Sequence, residues 1–95
     1  MTKAIVQNVL QPGKTYRVDA AKYAAMRQAV LAVMTANAKG LTPNEIIAAV
    51  GPHLPPDLFP GGEKAGWWVK CVQLDLEATG LIRRAASGPV RLSLT

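Results

Sequence analysis

The sequence predicts one α+β domain: three helices followed by a carboxy-terminal β-hairpin, with an extended arm or hairpin at the amino terminus. Three observations carry this expectation. Apolar residues recur at helical spacing in three runs that stop at Gly40, Gly51 and Gly80. After Gly80 the apolar period shortens to two, the period of a strand. The chain of 95 residues, 49% of them hydrophobic, can build a single core but not two.

Residues 1–18 read as an extended arm or loose hairpin, with Ile5, Val6, Val9 and Leu10 before the QPGK turn and Tyr16 and Val18 after it. Pro12-Gly13 is type II turn chemistry, because proline presets one central dihedral and glycine accepts the positive one. Residues 19–95 form the main domain. Asp19 is a suitable N-cap for a first helix that carries Tyr23, Met26, Val30, Val33, Met34 and Asn37 at helical spacing up to Gly40. Its opposite face is a stripe of Ala25, Ala29, Ala32 and Ala36, which is either high-propensity filler or a close-packed contact with the arm or a second subunit.

The second helix starts at LTPNEII, where Thr42 and Glu45 form a capping box and Pro43 takes the first helical position. It is short, ends near Gly51-Pro52, and buries Ile46, Ile47 and Val50. The segment GPHLPPDLFPGG that follows is stiffened by its prolines, while Leu54, Leu58 and Phe59 give it apolar side chains to dock. A packed connection is expected there, with Pro55-Pro56-Asp57 opening a single helical turn. A third helix is expected from about Glu63 to Thr79. At 100° per residue, Trp67, Cys71, Leu74 and Ala78 fall in one arc of about 60° with Trp68 and Val72 beside it, so Trp67 is expected to be the more buried indole. Leu81–Ala85 and Val90–Leu94 then read as two strands around ASGP.

Three helices running through LDLEATGLIRR into a hairpin resemble a winged helix-turn-helix domain. The stretch Leu74 to Thr95 is similar to the amino-terminal winged-helix domain of Mrr-like restriction systems, in which a helix also ends in an Ala-x-Gly-Leu-Ile-like turn. Through PGKTYRVDAAKY, LPPDLFPGGEKAGWW and VQLDLEATGLIRR, nearly the whole chain is similar to a family of small bacterial proteins of unknown function. The resemblance implies the winged-helix fold and brings no activity with it. One departure bears on DNA docking: Gly51 to Gly62 separate the second and third helices, where a few residues are usual.

The formal charge of +5 favours polyanionic partners. Residues 1–40 carry six bases against Asp19, residues 41–80 carry Lys64 and Lys70 against five acids, and residues 81–95 add Arg83, Arg84 and Arg91. Along the third helix, Glu63, Lys64, Lys70, Asp75 and Glu77 sum to −1, an unfavourable sign for a helix that should face phosphates. No apolar run reaches the roughly 18–20 residues of a membrane span, no signal-peptide pattern is present, and a cytoplasmic location is expected.

Catalytic chemistry is not expected. Cys71 is the single cysteine and His53 the single histidine, so neither a disulfide nor a multi-cysteine zinc site can form within the chain. A Cys71–His53 pair would need an exposed, activated thiol, whereas Cys71 shares its predicted arc with Trp67 and Leu74. Gly61-Gly62 lacks the lysine and hydroxyl of a phosphate-cradling loop, and Glu63 would repel an anion there. The expected function is a nucleic-acid-binding or regulatory module without cofactor or metal. Its contacts to double-stranded DNA would be Arg83, Arg84 and Arg91, beside the small residues Ala85 to Gly88, with Lys64 and Lys70 adding phosphate contacts. The alternative is a protein-interaction or homodimerisation domain that uses the alanine stripe or an arm strand.

Overall fold

A computed structural model describes residues 3–37, 39–62, 64–85 and 90–95. Among them are three α-helices and two small antiparallel sheets, in the order β1 (Lys3–Gln7), β2 (Thr15–Asp19), α1 (Ala20–Thr35), α2 (Pro43–Val50), α3 (Ala65–Thr79), β3 (Ile82–Arg84) and β4 (Leu92–Leu94). The amino-terminal segment is a paired hairpin whose register runs from Lys3 opposite Asp19 to Gln7 opposite Thr15. Its turn follows the local chemistry: Lys14 N–H donates to the Gln11 carbonyl at 3.1 Å, and Gly13 takes φ +86°. Alternation along the strands sends Val6 and Val18 into the core and leaves Ile5 and Arg17 outside.

α1 is capped as expected, with Lys22 N–H donating to Asp19 Oδ1 at 3.0 Å. Met26, Val30, Val33 and Met34 form its buried stripe, and Ala29 joins them. α2 closes its capping box on both sides: Glu45 N–H donates to Thr42 Oγ1 at 3.2 Å and Thr42 N–H to Glu45 Oε1 at 2.8 Å. The connection to α3 is packed. A turn at Gly51–His53 leads to one helical bond, Phe59 N–H to the Pro55 carbonyl at 3.0 Å, and Phe59 is buried against Trp68.

Two expectations about β structure are corrected. The longer hairpin is amino-terminal, five residues per strand, and the carboxy-terminal sheet pairs only Ile82–Arg84 with Leu92–Leu94. The small sheet is extended by a bridge, since Leu41 and Leu92 exchange both backbone hydrogen bonds at 2.8 Å. Gly40 makes this approach possible. Its φ is +96°, and a Cβ there would stand 2.8 Å from the Leu92 carbonyl oxygen, closer than any side chain fits.

The core sits where α3 meets α1 and α2 on one side and β1 on the other. A helix covered from two directions buries more than one stripe. α3 buries Trp68, Val69, Val72, Gln73, Leu74, Asp75 and Leu76.

Candidate nucleic-acid interface

The burial of α3 is lopsided along its length: residues 72–76 are enclosed, whereas Trp67 and Lys70 in its first half face solvent. The expected ranking of the indoles is reversed. Trp68 is 7% exposed and Trp67 58%. The buried stripe is centred on Trp68, Val69, Val72 and Leu76, one residue round the helix from the predicted arc, because α1 and α2 take that face. Trp67 stands edge-to-face against Trp68 with ring centroids 5.0 Å apart, and Trp68 meets Phe59 in the same way at 6.2 Å. An aromatic chain thus runs from core to surface and holds the outer indole in place.

The same asymmetry sorts the charges. Asp75 lies inside, where Oδ1 accepts the Gln7 N–H at 2.8 Å and Oδ2 accepts the Tyr23 hydroxyl. Glu77 is also turned away from solvent: its side chain is 5% exposed and takes both Nε (2.9 Å) and Nη2 (3.1 Å) of Arg84. Lys64 and Lys70 remain outside. The unfavourable −1 counted along the sequence therefore becomes, for the described residues that face water, a pair of lysines; Glu63 lies outside the described residues. Lys64 itself has φ 60°, the one described non-glycine residue with a positive φ. That conformation costs about 1–2 kcal/mol for a side-chain-bearing residue.

The three hairpin arginines do not form one cluster. β-strand alternation puts Arg84 on the face of Ile82, toward α3, and Arg83 on the other face opposite Ser93. Arg84 is engaged by Glu77, which raises its already high pKa by hydrogen bonding and charge. Arg91 donates from Nη1 to the Gly40 carbonyl at 3.0 Å and lies 3.9 Å from Glu45. Arg83 makes no ion pair among the described residues. The hairpin tip, Ala86 to Gly88, lies outside the described residues.

Two open grooves flank Lys70. One, of about 400 Å³, lies between the first hairpin and α3, and its lining includes Val6, Tyr16, Arg17, Trp67, Cys71 and Leu74. The other, of about 380 Å³, lies between α2, α3 and the second hairpin, lined among others by Leu10, Ile47, Gly66, Arg84 and Val90. Among the described residues, neither has an acid in its lining. Cys71 is half-buried in the first groove rather than enclosed in the core, and burial, followed by the negative charge of Asp75, pushes its thiol up to about 11. His53 is exposed in the Gly51–His53 turn and is not among the residues that line either groove. Among the described residues, no three histidine, cysteine or carboxylate side chains converge on a point, and no helix is long and apolar enough to cross a membrane.

Tyr16, Arg17 and Trp67 are the surface residues that sequence reasoning missed. The sequence offers Tyr16 and Val18 as apolar residues of an extended segment, but nothing in it shows that the segment lies beside α3. A family model matches residues 3–92 and is described as a family of unknown function (DUF6958). No curated protein and no solved structure matches the chain.

Proposed function

The chain belongs to this family of unknown function, and on that premise we propose that it is a nucleic-acid-binding module of winged-helix type, meeting phosphates through Lys64 at the entry to α3, Lys70 on α3 and Arg83 on the second hairpin. The observation that carries the reading is the segregation of charge on α3, whose acids are enclosed while its lysines face water. A helix whose exposed charge in its first half is basic offers phosphates an attractive approach. The Leu41–Leu92 bridge supports the winged-helix assignment, because it ties the segment between α1 and α2 to the last strand and braces the hairpin beside α3. The long α2–α3 connection is folded onto the core through Phe59, which packs on the buried Trp68, while Trp67 and Lys70 beside it stay exposed.

Arg84 and Arg91 serve the fold in this reading, and exchanging them would break contacts to Glu77 and Gly40 as well as remove charge. The discriminating variant therefore replaces Lys64, Lys70 and Arg83 by alanine. With about three phosphates met, log K on duplex DNA should fall with log salt at a slope of roughly −2.7, and the triple variant should flatten that slope toward zero for all sequences alike. Fluorescence anisotropy of a labelled duplex at several salt concentrations measures both. Absence of duplex binding at about 50 mM salt and tens of micromolar protein, where non-specific binders register, would remove the reading.

A further inference from the structure

The charge on α3 accounts for phosphates but not for the groove beside it, whose walls include an exposed tryptophan, a second aromatic ring and a lysine. We infer that this groove, between the β1–β2 hairpin and α3, receives one unpaired nucleotide of a nucleic-acid strand, its base against Trp67 and its phosphate beside Lys70. The inference deepens the nucleic-acid reading and rests on it.

Four features of the groove select this occupant. Its volume of about 400 Å³ falls near the lower end of the roughly 300–1,000 Å³ typical of small-ligand pockets, too small for a duplex and suited to a single nucleotide. Its walls include Trp67 and Tyr16, which are 58% and 44% exposed. An indole held perpendicular to the buried Trp68 loses little freedom when a base stacks on it, and stacking accepts any base because each has a π-face. Lys70 is among the lining residues and no acid is among the described ones, so the field in the groove favours an anionic ligand over a cationic aromatic one. Finally, Asn8 stands at the hairpin end with its Oδ1 held by the Leu10 N–H at 2.8 Å; its amide N–H groups have no partner among the described residues and can meet a base edge or sugar.

Position supports the same conclusion. Lys70 lines this groove and the one between α2, α3 and the second hairpin, so a phosphate at Lys70 lies on the surface assigned above to the nucleic-acid backbone. A strand that crosses α3 there can turn one base into the groove without leaving the lysines. Cys71, in the floor, stays a neutral thiol near pH 7 and contributes apolar contact rather than a nucleophile.

The test compares single-stranded DNA and RNA of about 12 nucleotides, within the ~4–16-nucleotide sites usual for such modules, with a duplex of the same sequence. Wild type, Trp67→Ala, Trp67→Phe and Lys70→Ala would be titrated by anisotropy, with circular dichroism confirming that each is folded. Trp67→Ala should weaken binding of a single strand by about 5- to 150-fold, the range measured for loss of one base–aromatic stack, and should leave duplex affinity nearly unchanged. Trp67→Phe should recover most of the loss, and Lys70→Ala should weaken single strand and duplex together. In a Trp68→Phe background, emission of the remaining indole should be quenched on addition of the strand. Duplex binding with no effect of Trp67→Ala on single strands would overturn the groove assignment and leave the phosphate surface standing. Failure of both probes would overturn both readings. An emission change that follows protein concentration alone would identify the groove as a contact between copies and end the inference.

Discussion

The reversed burial of Trp67 and Trp68 shows how much a single helical step decides. A tryptophan enclosed among Phe59, Val69 and Val72 contributes apolar burial and ring contacts that the exposed neighbour lacks. Trp68→Ala should therefore cost about 3–5 kcal/mol and Trp67→Ala about 1 kcal/mol or less, compared by urea melts of the two variants. Equal losses would mean that the outer indole is an essential brace for the inner one. Cys71 gives a second residue-scale prediction. Because burial and Asp75 hold its thiol up at about 11, little thiolate exists near neutrality. Alkylation by iodoacetamide should be roughly 100-fold or more slower than for an unperturbed cysteine and should accelerate as pH rises toward 11, as mass spectrometry would show.

At the scale of elements, the first hairpin is attached to the helices through a buried carboxylate. Asp75 on α3 accepts from the Gln7 backbone on β1 and from Tyr23 on α1, joining three elements at one side chain. Asp75→Ala would leave both donors without this partner inside the fold and should destabilise it by about 2–4 kcal/mol. Amide exchange would accelerate first along residues 3–7. The same node responds to alkali. Burial, then the hydrogen bond to Asp75, raises the Tyr23 phenol from 10.0 to about 12, so the neutral phenol is the form that the fold stabilises. Its contribution is fully present below pH 10 and is lost as pH climbs from 10 to about 12. Urea midpoints should fall across that window, and Tyr23→Phe should reduce the fall. A wild-type midpoint that stays level from pH 10 to 12 would show that the phenol is not held at this node.

For the whole molecule, compactness limits which surfaces are available. The radius of gyration of 12.7 Å is close to the ~12.4 Å of a compact chain of this length. The alanine stripe of α1 is divided by that packing: Ala29 is 2% exposed and belongs to the core, Ala25 is half-buried, and Ala32 and Ala36 are exposed. The four residues therefore do not present one face to a second subunit. Ala29→Glu would force a carboxylate into the core and should unfold the protein or cost more than about 3 kcal/mol, whereas Ala32→Glu should leave thermal stability within about 0.5 kcal/mol. Sedimentation of the Ala32→Glu protein beside wild type separates this account from dimerisation through the stripe, which would convert a dimer to a monomer.

Local chemistry is what the sequence determined by itself. The Asp19 cap, the Thr42–Glu45 box, the Pro12-Gly13 turn and the stop at Gly80 depend on neighbours a few residues apart, and each follows from a short-range hydrogen bond or an allowed dihedral. The one-sided helical wheel misplaced Trp67 because period and spacing describe one helix against one partner, and α3 has partners on two sides. The same limit hid the sorting of charge. Asp75, Glu77, Lys64 and Lys70 are indistinguishable as charges in a count, and only the positions of β1, α1 and β3 decide which of them meets water. The candidate groove was illegible for a related reason: its walls come from residues 6–18 and 67–74, separated by α1 and α2. Contacts between segments that far apart are set by how whole faces exclude water, which no short window of sequence contains.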